Sequence, residues 1–238
     1  MAKWLVGRAI LQNAHMTFSN TVQLLNGVQK PHFSFGSRMP ATSTLRADLL
    51  TLAHETLAER GYGALSVRGL ARGLGVTPGA IYYHFDGKAG IYQAVVADGL
   101  AAIRDRVRAA YASTSDPAAR VRAMAEAYCA FGLENPHTYY VIMMLREEGQ
   151  PDVSDEQKQP GRDVIGMTAM ALGELVATDG APIPDDPEML ALETWSILHG
   201  ALALVVSERM ALTYPGFDVT RLTSAAVDRV LGMIERGG

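Results

Sequence analysis

From Thr42 onward, apolar residues recur at helical spacing. Leu45, Leu49, Leu52, Ala53, Thr56 and Leu57 share one face, with Arg46, Glu55 and Glu59 off it, so a first amphipathic helix is predicted. Gly61 stands where a left-handed cap would end it. Val67, Leu70, Ala71 and Leu74 repeat the 3.6-residue period, opened by Ser66 as cap and closed by Gly75. Gly75 tolerates the positive φ of a tight turn between two helices, and Val76 plugs that turn. Thr77 and Pro78 suit the cap and first position of a third helix, running through Ala80, Ile81, Tyr82, Tyr83 and His84. Barely two turns long, it is too short to be stable alone, so its use lies in what it presents.

The pattern then lengthens. A helix from Lys88 to about Ala112 carries Ile91, Val95, Leu100, Ile103 and Val107 inward, and its two ends lie in different parts of the chain. That makes it the natural mechanical link between them. Asp116-Pro117 opens a helix with Val121, Met124, Tyr128 and Phe131 spaced for burial; Asn135-Pro136 opens another. In the latter, Tyr139 to Leu145 is apolar on every face, the pattern of a helix in the middle of a core. Glu147 to Gly161 reads as an exposed polar loop, and Val164, Met167, Leu172 and Leu175 mark the next helix, ended by Asp179-Gly180. After a proline-punctuated loop come two more helices, Pro187 to about Leu212 and Val219 to Arg236. The expectation is an all-α fold of about nine helices, the first three forming a helix-turn-helix module.

Composition changes this picture mainly through charge. The chain of 238 residues is 48% hydrophobic with a net charge of −4, which alone argues against a nucleic-acid partner. The distribution reverses that. Residues 1–97 carry nine basic and four acidic side chains, leaving twelve basic and twenty-one acidic in the remainder. A basic part joined to an acidic one fits a DNA-reading module attached to something that avoids DNA. The single Cys129 excludes an internal disulfide and fits a reducing compartment. No apolar run is read as reaching the roughly 20 residues needed to span a bilayer, and the cytoplasm is the default location. Residues 1–40 contain no acidic side chain and show poor periodicity. They are read as a disordered leader ahead of Met39, with a basic arm that reaches DNA as the alternative.

At Leu65 to Tyr92 the residues carry a specific likeness. The stretch LSVRGLARGLGVTPGAIYYHFDGKAGIY resembles the DNA-binding signature of the TetR/AcrR family of bacterial transcriptional regulators, with Tyr82, His84, Phe85 and Lys88 in register behind Gly75. Trp195, His199 and Gly200 are similar to a W-x-x-x-H-G motif of one subgroup of the family's C-terminal domains. The resemblance implies three parts: the extension 1–40, a DNA-binding domain at 41–92, and an effector-binding and dimerisation domain at 93–238.

On this reading the recognition helix enters the major groove N-terminus first, with Thr77, Gly79, Ala80 and Tyr83 at base edges or methyl groups and Pro78 also among the DNA-binding residues. Arg68 falls where the resemblance places a base or phosphate contact, and Tyr82, His84 and Lys88 are read as phosphate contacts that fix register. For Phe85 core packing is the better reading. Family members often carry a longer polar residue where Tyr83 stands, and an acid-plus-leucine pair near Ala89-Gly90, so the operator sequence does not carry over.

Tyr128, Tyr140, Met143, Met144, Met167, Met170, Trp195 and His199 suggest an apolar cavity with few polar handles. The resemblance implies that such a cavity binds a small effector, whose arrival spreads the DNA modules. The competing reading is that the same stripe is simply core, with His199 a satisfied core or interface histidine. Leu192, Ala201, Leu202, Val205, Leu222, Ala226, Val230 and Ile234 on the last two helices are expected to form a four-helix interface with a second copy. No cofactor or metal is expected. The six histidines are never paired at i,i+4, and there is neither a nucleophile elbow nor a phosphate-binding glycine loop. The expected function is a homodimeric repressor released from a palindromic operator by an apolar or amphipathic effector. A helical small-molecule carrier or interaction protein without specific DNA binding is the alternative.

Overall fold

A computed structural model of the chain describes residues 42–178, 186–215 and 218–234, and these are helical with connecting turns and no strand. The leader, the predicted loop after Asp179 and the predicted end at Arg236 lie outside them. The helices are α1 (Thr42–Ala64), α2 (Val67–Leu74), α3 (Pro78–Tyr82), α4 (Gly87–Ala112) and α5 (Pro117–Glu134). There follow α6 (Pro136–Met143), α7 (Asp155–Thr178), α8 (Pro187–Val206), α9 (Arg209–Thr213) and α10 (Val219–Ile234).

The small N-terminal module is built as the pattern demands. Leu49, Ala53 and Leu57 of α1, Leu65 before α2, Ile81 of α3 and Ile91 of α4 are sealed from solvent in one core. Each such aliphatic side chain stabilises the fold by roughly 1.5–3 kcal/mol relative to exposure. Phe85 is buried there, as expected of a packing residue. The caps match their sequence signals. Ser66 Oγ accepts from the Gly69 N–H at 3.1 Å, and Thr77 Oγ1 accepts from the Ala80 N–H at 3.3 Å. Gly75 takes φ 68°, ψ 27°, closing α2, and the Val76 N–H reaches back to the Ala71 carbonyl at 2.9 Å. Gly61 interrupts α1 at φ 74°, ψ 179°, a conformation open only to glycine.

The larger core is formed by α4, α5, α7, α8 and α10, with Val107, Tyr128, Phe131, Leu172, Leu202 and Val230 inside it. Between the two cores runs α6. Tyr139 belongs to the larger core and Val141 to the smaller, while Tyr140 and Ile142 pack against both. The helix that is apolar on every face is thus shared by two cores. Its approach to α4 is close at Gly99, where an added Cβ would lie 2.8 Å from Ile142 Cγ2 and 3.2 Å from Thr138 Cγ2. α4 is accordingly not the only link between module and body.

Three expectations need correction. The polar segment Glu147–Gly161 is a loop only as far as Ser154. There Ser154 and Gln157 form a reciprocal box, Ser154 Oγ accepting from the Gln157 N–H at 3.2 Å and Gln157 Oε1 from the Ser154 N–H at 3.0 Å. This starts α7 nine residues before Val164 and carries Pro160 inside the helix. The helix predicted from Pro187 to Leu212 breaks at Ser207-Glu208, with Glu208 at φ 55°, so α9 is a separate short segment. Finally, α8 is long and apolar enough, by length and composition, to cross a membrane. Its Ala191, Leu198, Ala201 and Leu202 are instead buried in the larger core.

Candidate nucleic-acid interface and effector chamber

The third helix is held by one buried side chain and gives the rest to the outside. Ile81 is fully buried, whereas Tyr82 is 60% and Tyr83 80% exposed. Two adjacent large aromatics at such exposure make an apolar patch of the kind that marks an interaction site. Thr77, Pro78 and Gly79 are exposed and small, so a surface could come close to the helix N-terminus. The Thr77 hydroxyl already accepts from Ala80, which leaves its own proton free to be donated outward. Ala80 and His84 are half-buried, and the imidazole meets the Tyr83 ring edge-on at 5.1 Å between centroids.

The flanking cations are fixed in different ways. Arg68 is exposed on α2. Lys88 lies in the first turn of α4, with its ammonium 3.9 Å above the ring of Tyr62, so its charge is steered by a cation–π contact. Asp86, ahead of α4, makes no side-chain cap, leaving the first amides of that helix to other acceptors. Arg46 stacks over Phe85 at 5.6 Å and pairs with Asp98 at 3.6 Å, so it serves the module itself. Arg60 and Arg72, which the sequence reading did not single out, border an open groove of about 330 Å³ between α1 and α2.

In the body, the residues proposed as an effector pocket divide. Tyr128 and Trp195 line an apolar cavity together with Val107, Val121, Met124 and Leu198. Its volume is only about 30 Å³, far below that of a ligand site. Tyr140, Met143, Met144 and Met167 are half-buried against the larger core but do not line this cavity. Met170 is 60% exposed, because its face of α7 turns outward, so its assignment to the cavity is corrected.

His199 stacks on Trp195 with centroids 4.8 Å apart and ends a chain of polar contacts. The Trp195 Nε1–H donates to Tyr128 Oη at 2.9 Å, the Tyr128 and Tyr139 hydroxyls lie 2.9 Å apart, and Tyr139 Oη is 2.6 Å from His199 Nδ1. Burial pushes the Tyr128 phenol up to about 12 and the Tyr139 phenol up as well, while it lowers His199. All four groups are neutral near pH 7. Tyr139 escaped the sequence reading because it stood among apolar neighbours, although a buried tyrosine hydroxyl always needs a partner.

The expected interface residues also divide. Ala201, Leu202, Ala226 and Val230 are buried within their own chain and so offer little surface to a second copy. Leu222 is half-buried on the core and Val205 is partly exposed; the Ile234 side chain lies outside the described part. Among the residues α8 leaves exposed, Met189, Leu192, Ser196, Gly200 and Leu204 form a stripe, apolar at its ends and small in the middle, with Glu188 and Glu193 beside it.

A three-helix module with a short, protruding reading helix, joined to an all-helical body, defines a helix-turn-helix DNA-binding protein. Residues 49–95 match the N-terminal model of the tetR family of bacterial regulatory proteins. Residues 121–230 match a tetracyclin repressor-like C-terminal domain. The chain belongs to the tetR family of bacterial regulatory proteins. It is 31% identical over 123 residues to the transcriptional activator FasR of Mycolicibacterium smegmatis, covering 52% of this chain and 56% of that one. It is 33% identical over 97 residues to the transcriptional repressor KstR2 of Mycobacterium tuberculosis, covering 41% and 48% respectively. The chain thus spans about half the length of the curated relatives it matches. Among solved structures it is similar to SCO4313, described as a regulatory protein, at 27% identity and TM-score 0.66, covering 82% of this chain and all of that one. The fold also matches the TetR family regulator PfmR of Thermus thermophilus, at 20% identity and TM-score 0.61, over 77% and 96% of the two chains.

Proposed function

We propose that the chain is a cytoplasmic repressor that binds a palindromic operator as a homodimer and is released by a small, neutral, largely apolar effector. The observation that carries the DNA-contact assignment is the pair Tyr82 and Tyr83, prominently exposed on a helix whose only buried side chain is Ile81. Arg68, Thr77, Pro78, Gly79, Ala80 and Tyr83 would meet the bases and nearby backbone; Tyr82, His84 and Lys88 would fix register on phosphates. The second copy would pair through the open stripe of α8, placing two reading helices about one DNA turn, roughly 34–36 Å, apart.

For the effector, the support is the cavity between Tyr128 and Trp195, which has no charged side chain in its lining. A charged group buried there would have no partner and would be strongly disfavoured. At about 30 Å³ the cavity must widen to take any effector, since ligand sites typically measure about 300–1,000 Å³. Met124 in its lining, and Met167, Met143 and Met144 half-buried on the same core, are adaptable side chains for that widening. The Tyr128 hydroxyl, Thr168 and Thr194 in its lining are the polar handles, with His199 stacked behind Trp195.

The test is salt-dependent binding to DNA from upstream of the chain's own gene. Tight binding with a steep salt dependence supports the reading. Weak binding indifferent to sequence would favour the carrier instead.

A further inference from the structure

The loop after α6 is tied to the DNA module at three points. The Glu147 carboxylate accepts the Gly63 N–H through Oε2 at 3.0 Å. Gln93 of α4 donates its side-chain N–H to the Asp152 carbonyl at 2.6 Å, and Val153 packs against the smaller core. The first tie lies at the backbone break. Gly61 has φ 74°, and the space a Cβ would need there is filled by the Glu147 carboxylate. A break in a helix leaves the following amides without their i−4 partners, and Glu147 supplies one from a part of the chain 84 residues away.

The position of this break matters because it sets the direction of the chain from α1 into Leu65, Ser66 and α2, the helix that supports the reading helix. Glu147 follows Leu145, which is buried in the smaller core, and Leu145 follows α6, whose Tyr139 touches Tyr128 at the chamber wall. One short segment therefore runs from the effector chamber to the α1–α2 corner.

We propose that Glu147 is a positioning residue for DNA reading: it fixes the α1–α2 corner and carries any displacement of α6 to it. This rests on the DNA-binding reading above. The carboxylate contacts no DNA in this scheme and acts through the Gly63 amide alone. Its specific requirement is an acceptor oxygen on a side chain of that length, which glutamine also provides and alanine does not.

The experiment uses the full chain and a duplex recovered by the wild-type chain from a randomised pool. Affinities of wild type, Glu147→Gln and Glu147→Ala are measured, together with hydrogen exchange at the Gly63 amide without DNA. Alanine is expected to weaken binding about fivefold, the effect of one lost charge-assisted hydrogen bond, and to speed exchange at Gly63. Glutamine should stay within about twofold of wild type and keep the amide protected, because its carbonyl replaces the acceptor. Glu147 is exposed, so neither variant disturbs a core. Wild-type affinity and unchanged Gly63 exchange in the alanine variant would overturn the role of Glu147 while leaving DNA binding intact. A wild-type chain that recovers no duplex would overturn the DNA reading, and this proposal with it.

Discussion

The Tyr139 hydroxyl lies 2.6 Å from Nδ1 of His199, and this one contact sets the direction of a whole hydrogen-bond chain. An indole N–H can only donate, so Trp195 gives its proton to Tyr128. If Tyr128 in turn donates to Tyr139, then Tyr139 donates to His199, which accepts at Nδ1 and keeps its proton on Nε2. Every hydroxyl then has one donor and one acceptor role filled. Protonating His199 would put a second donor at Nδ1 and force a buried hydroxyl proton to lose its acceptor.

That arrangement predicts a pH dependence. Burial holds His199 below its ordinary value of 6.5, and burial also lowers His54, with Asp98 opposing. Above pH 6.5 both the folded and unfolded states are neutral at these positions, and nothing changes. Below it the unfolded chain takes up protons first, so stability falls progressively towards the depressed folded values. Melting curves at pH 7.5 and 5.5 should show a larger loss for wild type than for His199→Gln; equal losses would refute the assignment.

Removing the middle of the chain should cost more than its end. Tyr139→Phe leaves Tyr128 with only the Trp195 N–H and takes the hydroxyl from His199 Nδ1, at a cost of about 1–3 kcal/mol. Tyr140→Phe, one residue on, should cost little, since none of the described hydrogen bonds involves its hydroxyl. Urea unfolding of the two variants compares them directly.

At the reading surface, Tyr82→Ala should weaken DNA binding by about tenfold with little change in stability, since the side chain is 60% exposed. Lys88→Ala should lower the salt slope of binding by about one per half-site, as expected for one lost phosphate contact. The slope separates this role from a purely structural one: loss of the contact with Tyr62 alone would change stability and leave the slope as it was.

Cys129 should be silent in the native state. Burial pushes its thiol up to about 11, so almost no thiolate is present at pH 8. Alkylation by iodoacetamide is expected only in denaturant, at a rate that follows the unfolded fraction. Rapid labelling of the native chain would show that the α5 environment opens readily.

The α8 stripe makes a further prediction. Leu192, Gly200 and Leu204 are exposed, and a Cβ added at Gly200 would meet nothing within 4 Å among the described residues. Gly200→Arg should shift sedimentation from dimer to monomer and abolish tight operator binding, because each half-site would then bind alone. An unchanged sedimentation coefficient would place the interface elsewhere.

The module was legible in the sequence because each of its devices is local. Ser66, Gly75, Thr77 and Pro78 act within three or four residues, so spacing alone reveals them. The body was harder. The start of α7 could have been read from Ser154 and Gln157, but their box sat inside a polar stretch whose composition suggested a loop. The break at Glu208 leaves no comparable local mark. Residues such as Ala201, Leu202 and Val230 are apolar at interface spacing, and sequence cannot say whether the partner surface is the same chain or another. Glu147 was invisible for a related reason: its partner is a backbone amide far away in the chain.

The sharing of α6 between two cores bears on how the protein comes apart. Val141 cannot leave the smaller core without pulling on Tyr139 in the larger one, and neither part keeps a complete interior without this helix. Denaturation should therefore be a single cooperative event, in which a lesion beside the reading helix lowers the melting temperature reported by Trp195 in the body. For an isolated reading module, cut free before α6, the same reasoning gives the opposite fate: its interior would lie open on the side that Val141 and Leu145 normally close.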